Sequence, residues 1–320
     1  MMLRKEGKAE YTDLCCGLER MAYLYKNKKN SSSETKKWEI ARFLFTLHRD
    51  GVREALREHR IRKSGVDRLL SAAISGESRD GFSGRHNYFS SERIAVYTAE
   101  FGQYDNILEP VIHPDNIDYF LLTDRKPAAP GIWKIMDPAD YIPGEYRKSP
   151  LLSNRWCKMH PHKLFPEYCS SVYIDANYLI VSDLTDLINR MEEYPVAMFR
   201  HKNRTCVYKE VDACLIKEKA PRAALESHRR LLKGHGVPEN YGLLEATVIA
   251  RHHQDPRCVE LMDKWWNAFL TGSGRDQIAL IDALWEMKIQ PSVLGTLGAN
   301  LNFCDLFIGM PHQRQKGRDA

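Results

Sequence analysis

The chain of 320 residues lacks several features that mark out whole classes of protein. It has no CxxC pair. Of its eight cysteines, Cys15 and Cys16 are adjacent and the other six are scattered through apolar segments. Zinc-finger spacing is therefore excluded, and the cysteines read as reduced core or surface thiols. No apolar stretch approaches the roughly 18 residues a membrane span needs. The N-terminal stretch MMLRKEGKAEYTDLCC has no apolar centre of the secretory kind. The expectation is a cytoplasmic protein, at most peripheral to the inner face of a membrane. There is no internal repeat. The absence of HExxH leaves a metal-dependent hydrolase unsupported, and the aromatic-plus-basic pattern of nucleic-acid binders is missing.

What is present is material for a large core. Hydrophobic residues make up 43% and charged residues 28% of the chain, a composition suited to an ordinary surface. The net charge of +5 is unevenly spread. Residues 1–90 hold 19 Lys and Arg against 12 Asp and Glu, and the remaining 230 hold 28 against 30. The basic excess lies wholly in the first segment. It is either a solvated helical face or a docking surface for an anionic membrane or acidic glycan.

Apolar periodicity predicts helices over residues 11–26, 38–59 and 66–74. The stretch SGESRDGFSGRHNYFSS then marks a boundary near residue 90, with a helical N-terminal extension before it and one domain over 91–320. Beyond it the texture changes. Short apolar runs at 93–98, 118–124, 133–136, 170–181, 196–199 and 246–250 read as strands. Helical patterns intervene, one starting at Pro221 and one with Asp255 as N-cap and Pro256 behind it. Strands alternating with helices predict an α/β fold with a mostly parallel central sheet.

Such sheets bind ligands at the carboxyl ends of their strands. The run SSVYIDANYLIVSDL places Asp175 and Asn177 where a core strand emerges. Two oxygen-bearing side chains two apart in an extended segment share a side and can hold a hard divalent cation. A turn or cap is the alternative. Upstream, Arg155 and Lys158 share a helical face. They are either a solvated surface or a cationic clamp for a diphosphate. FRHKNRTCVYKE supplies Arg200, His201 and Arg204 at another strand end, where His201 taken singly reads as a satisfied loop residue, and Glu245 precedes a buried-looking strand. Arg275, Asp276 and Gln277 open a helix, where Asp276 can also serve the helix dipole. His312 follows a Gly-Met-Pro turn near the C-terminus.

Taken in order, IAVYTAEFGQYD, YFLLTD, WKIM, HPHKLFPEY, VYIDANYLI, FRHKNRTCVYKE, GLLEATVIARHH, WW and RDQ resemble a known family over about residues 93–290. It is the glycosyltransferase-like domain of plant mucilage-related and turgor-regulation proteins and of bacterial polysaccharide-cluster proteins. The resemblance implies a GT-A-like α/β/α sandwich that moves a sugar from a nucleotide-sugar donor to a glycan or lipid-linked acceptor. Asp175 and Asn177 then occupy the metal motif, with Asn where Asp is the usual ligand, and Mn2+ or Mg2+ is the implied cofactor. His312 is the candidate third ligand. Arg155, Lys158, Arg200, His201, Arg204 and Arg275 become donor-binding residues. Asp276 and Gln277 face the donor sugar, and Glu245 acts as acceptor base or sugar ligand. A non-catalytic glycan- or nucleotide-binding module that keeps the fold is the alternative.

Overall fold

The computed structural model describes residues 93–310, apart from 126, 128–130, 192, 302–303 and 305. The expected N-terminal helices, with their basic excess, and His312 lie outside the described residues.

Six strands form the central sheet: β1 (Ile94–Glu100), β2 (Ile117–Thr123), β3 (Lys134–Met136), β4 (Ser170–Ile174), β6 (Val196–Arg200) and β7 (Leu244–Arg251). Their order is β3-β2-β1-β4-β7-β6. β1 pairs in parallel with β2 and with β4, and β2 in parallel with β3. β7 pairs antiparallel with both β4 and β6, so it alone runs against the others. The mostly parallel sheet agrees with the sequence reading. The short strand β5 (Tyr178–Ile180) pairs antiparallel with β8 (Phe307–Gly309) in a separate ribbon.

The strands read as apolar runs because both faces of the sheet are covered. Successive residues of β1 go to opposite sides. Ala95, Tyr97 and Ala99 join one core, and Ile94 and Val96 join the other. The first core is roofed by α2 (Pro150–Met159), α5 (Val207–Ile216), α6 (Arg222–Gly234), α7 (Pro256–Thr271) and α8 (Asp276–Glu286). α1 (Pro138–Tyr141), α3 (Pro161–Leu164) and α9 (Pro291–Leu294) are single turns. The second core is thinner, built from α4 (Thr185–Ile188), the β5–β8 ribbon and Leu297, Leu301, Cys304 and Leu306.

Local sequence explains the helix starts. Asp255 caps α7 by accepting the Arg257 amide at 2.8 Å, with Pro256 at the first position. Ser149 caps α2 with Pro150 behind it. α7 then buries Cys258, Leu261, Met262, Trp265 and Phe269, the stripe its periodicity predicts. No helix among the described residues is long and apolar enough to cross a membrane.

Candidate active site

The strand order reverses between β1 and β4, because β1 has β2 on one side and β4 on the other. The crevice of such a sheet lies at the carboxyl ends of the strands at this switch point. Asp175 directly follows β4 there. β7 runs backwards, so Glu245 near its start reaches the same edge, as does Arg200 at the end of β6.

The site is built around Lys158, near the end of α2. Helical side chains lean toward the helix N-terminus. The Lys158 ammonium accordingly passes over the Tyr173 ring, 4.8 Å from its centroid. It ends 3.0 Å from Asp175 Oδ1 and 3.1 Å from Asp276 Oδ2. Arg155, one turn earlier, puts Nε 3.0 Å from the same Asp276 oxygen. Tyr173 donates its hydroxyl to Asp175 Oδ1 at 2.9 Å. Asn154 ties this helix to the end of β1 by donating to the Ala99 carbonyl at 2.6 Å. Carboxylates 101 positions apart in sequence thus share one ammonium group.

Exposure separates their roles. The Lys158 side chain is 1% exposed and that of Asp276 6%, whereas Asp175 is 31% exposed. The Asp276 carboxyl is pulled well below the usual range. Burial pushes it upward, and Arg155, Lys158 and Arg275 together outweigh burial. The pair expected as a solvated surface or a diphosphate clamp, Arg155 and Lys158, is largely buried. Both cations already face carboxylates, and a pyrophosphate would have to displace one to reach Lys158.

The Asp175–Asn177 segment is a turn rather than an extended strand, closed by Tyr178 N–H donating to the Asp175 carbonyl at 3.0 Å. The two side chains consequently do not share a strand face. Asn177 donates Nδ2 to the Met310 carbonyl at 3.1 Å, and Met310 N–H returns a 2.7 Å bond to the Asn177 carbonyl. Asp175 Oδ2 and Asn177 Oδ1 stay outside these bonds, and they are the oxygen donors a hard cation would use. Among the described residues no group of three or more His, Cys, Asp or Glu side chains is arranged to hold a metal.

A bulge sets the other carboxylate. Met198 pairs with Ile249, but the next residue, Phe199, pairs with Glu245. On the other side of β7, the Thr247 carbonyl continues the β4–β7 ladder and accepts the Asp175 amide at 2.9 Å. Glu245 stays buried with Oε1 3.7 Å from Lys202 Nζ, while Oε2 has no hydrogen-bond partner. Burial raises its carboxyl pKa, Lys202 opposes that rise and Asp175 adds to it.

The loop after β6 decides between the two readings of His201. His201 is turned to its own loop, where Nδ1 accepts the amides of Asn203 at 3.2 Å and Arg204 at 3.1 Å. Burial pushes its pKa down to about 3, so it is neutral and offers no charge to an anion. Arg204 is engaged with buried Glu210 through Nε and Nη2, both at 2.6 Å. Arg200 remains exposed at the strand end. Gln277 follows Asp276 in the first turn of α8, its amide donating to Asp276 Oδ1 at 3.1 Å.

Sequence reasoning missed the supports. Arg251 is fully buried and donates to the Lys158 carbonyl at 2.6 Å and to the Tyr97 hydroxyl. Its signal was an arginine inside the apolar run ATVIAR. Beside the cluster, a hollow of about 220 Å³ opens at the ends of β1 and β2, lined by residues including Phe101, Asp124, Pro150 and Ser153. None of the four linked residues lines it.

Fold and site together define an α/β protein whose titratable cluster sits at the switch point of its sheet. The chain belongs to the TOD1/MUCI70 family, glycosyltransferase-like domain, which it matches over residues 72–312. No curated protein matches it. Among solved structures it is similar to the WbbM bifunctional glycosyltransferase, with 10% identity and a TM-score of 0.38 over 68% of this chain and 40% of that one. It is similar to the glycosyltransferase GlyE of Streptococcus pneumoniae, with 14% identity and a TM-score of 0.35 over 61% and 43%. It is also similar to the galactosyltransferase LgtC, with 13% identity and a TM-score of 0.34 over 60% and 70%. The chain spans less than half the length of the first two.

Proposed function

We propose that this protein transfers a sugar from a nucleotide-sugar donor to a glycan or lipid-linked acceptor, with a divalent cation assisting. The observation that carries this reading is the ammonium of Lys158 shared by Asp175 and Asp276 at the switch-point strand ends, in a chain with a glycosyltransferase-like domain. Transfer breaks a sugar–phosphate bond. Negative charge collects on the departing diphosphate and positive charge on the sugar.

Asp276 suits the second need. Its carboxylate stays ionised and is fixed by Lys158 and Arg155. Gln277 adds an amide beside it. For the first need, Arg155, Lys158, Asp175 and Asp276 are electrically balanced as a group, so they add no net attraction for a diphosphate. Arg200 and Arg275 supply positive charge around them. Asp175 and Asn177 would hold Mn2+ or Mg2+, which when bound neutralises diphosphate oxygens as a Lewis acid. Glu245, with its raised proton affinity, is suited to take the proton of the acceptor hydroxyl.

Asn177, a weaker ligand than a second carboxylate, favours a second reading, a glycan- or nucleotide-binding module without turnover. Thermal shift with nucleoside diphosphates, with and without Mn2+, tests both. A metal-dependent rise of several degrees is expected, abolished by Asp175→Ala without unfolding the protein. Stabilisation by glycan fragments alone, with none by any nucleotide, would move the assignment to the binding module.

A further inference from the structure

The turn between α7 and α8, residues 272–275, carries Asp276 into the site, and buried groups outside the transfer chemistry hold it. Ser273 faces His228 of α6. Its amide donates to His228 Nδ1 at 3.1 Å, and its Oγ lies 3.1 Å from the same nitrogen. Because Nδ1 receives an N–H, the ring proton resides on Nε2, which lies 3.5 Å from Asp282 Oδ2. The other Asp282 oxygen is 3.0 Å from Nδ1 of His235, at the end of α6. His228, Ser273 and Asp282 are all buried. Burial pushes the Asp282 carboxyl up, but its contacts with His228 and His235 outweigh burial and hold it below the ordinary range.

Two further contacts leave the turn no slack. A Cβ on Gly272 would lie 2.5 Å from His228 Cε1 and 2.6 Å from the Ala268 carbonyl oxygen. Trp265 donates its indole N–H to the Asp276 carbonyl at 2.8 Å. Ser, His and Asp in a row resemble a nucleophilic relay. Here, however, Nδ1 is committed to the backbone of Ser273 and the hydroxyl is buried, so the arrangement serves position.

We propose that His228 is a positioning residue for Asp276. By fixing the turn through Ser273 it keeps the Asp276 carboxylate on Lys158 and Arg155. The proposal rests on the transfer reading above.

The test combines hydrogen exchange of residues 272–277 with turnover of nucleotide sugars to free sugar and nucleotide, without acceptor, by the full chain. His228→Ala is expected to speed exchange in the turn. It should lower kcat on the order of 10–100-fold, the scale of a small displacement of a reacting group, with donor KM little changed. His228→Asn places a carbonyl oxygen near the position of Nδ1 and should restore slow exchange and most of kcat. His228→Gln keeps a donor toward Asp282 but loses the acceptor for Ser273, and should not. The proposal is overturned if folded His228→Ala keeps native exchange and kcat, or if Asn and Gln restore both equally. Should His228→Ala fail to fold, the Asn and Gln variants decide. Wild-type protein inert toward every nucleotide sugar sinks the transfer reading instead, and the exchange comparison still reports whether His228 holds the turn.

Discussion

Lys158 shows how much of a site one residue can organise. Its carbonyl is held by Arg251, its chain passes over Tyr173, and its ammonium joins two carboxylates. Lys158→Met leaves Asp276 buried with less opposing charge. Breaking a buried pair from one side costs about 3–5 kcal/mol, and urea unfolding should register that loss. Adding Asp276→Asn should recover part of it, since the orphaned charge is then gone. The i, i+3 spacing of Arg155 and Lys158 made their common direction legible in the sequence. Their partner was not, because nothing local links position 158 to position 276. His201 has two readings in the sequence, a loop residue when taken singly and an anion ligand beside three basic residues, and its ring, accepting two loop amides, decides for the first.

At the scale of elements, the helices with both a stripe and a start signal were readable. α7 has both, and Asp255→Ala is expected to cost about 1 kcal/mol, seen as a lowered Tm. α5 was missed because its start, CVYKE, continues a polar stretch and its cap Cys206 makes no side-chain bond. The β5–β8 ribbon was invisible because its strands are three residues each and lie more than a hundred positions apart. That ribbon nevertheless decides the orientation of Asn177, since Met310 directly follows β8. The DAN segment was read as extended because short apolar runs flank it, whereas the Asp175–Tyr178 bond folds it into a turn.

Across the whole molecule, stability should depend on pH through groups that are buried uncharged. Burial lowers the pKa of His160 to about 3, of His201 to about 3 and of His253 to about 4. The unfolded chain binds protons at these rings below about pH 6.5, while the folded chain does not. Stability is therefore full above that value and declines as pH falls toward 4, by up to about 1.4 kcal/mol per pH unit for each ring. Asp118 adds a second loss at lower pH. Arg93 above all, with Lys134 and Tyr168, holds its carboxyl below the usual range, so its contribution vanishes as the carboxylate is protonated. Urea midpoints should hold from pH 7.5 to about 6.5 and then fall steadily to pH 4.5, and a profile flat throughout would contradict the neutral histidines. The bulge in β7 has a different kind of consequence. It makes the placing of Glu245 a matter of counting. Along a strand, side chains alternate sides, so an odd number of residues gained or lost between 246 and 248 would turn this acid toward the opposite layer. The number of residues in the bulge, more than their identity, therefore decides which layer receives the acid.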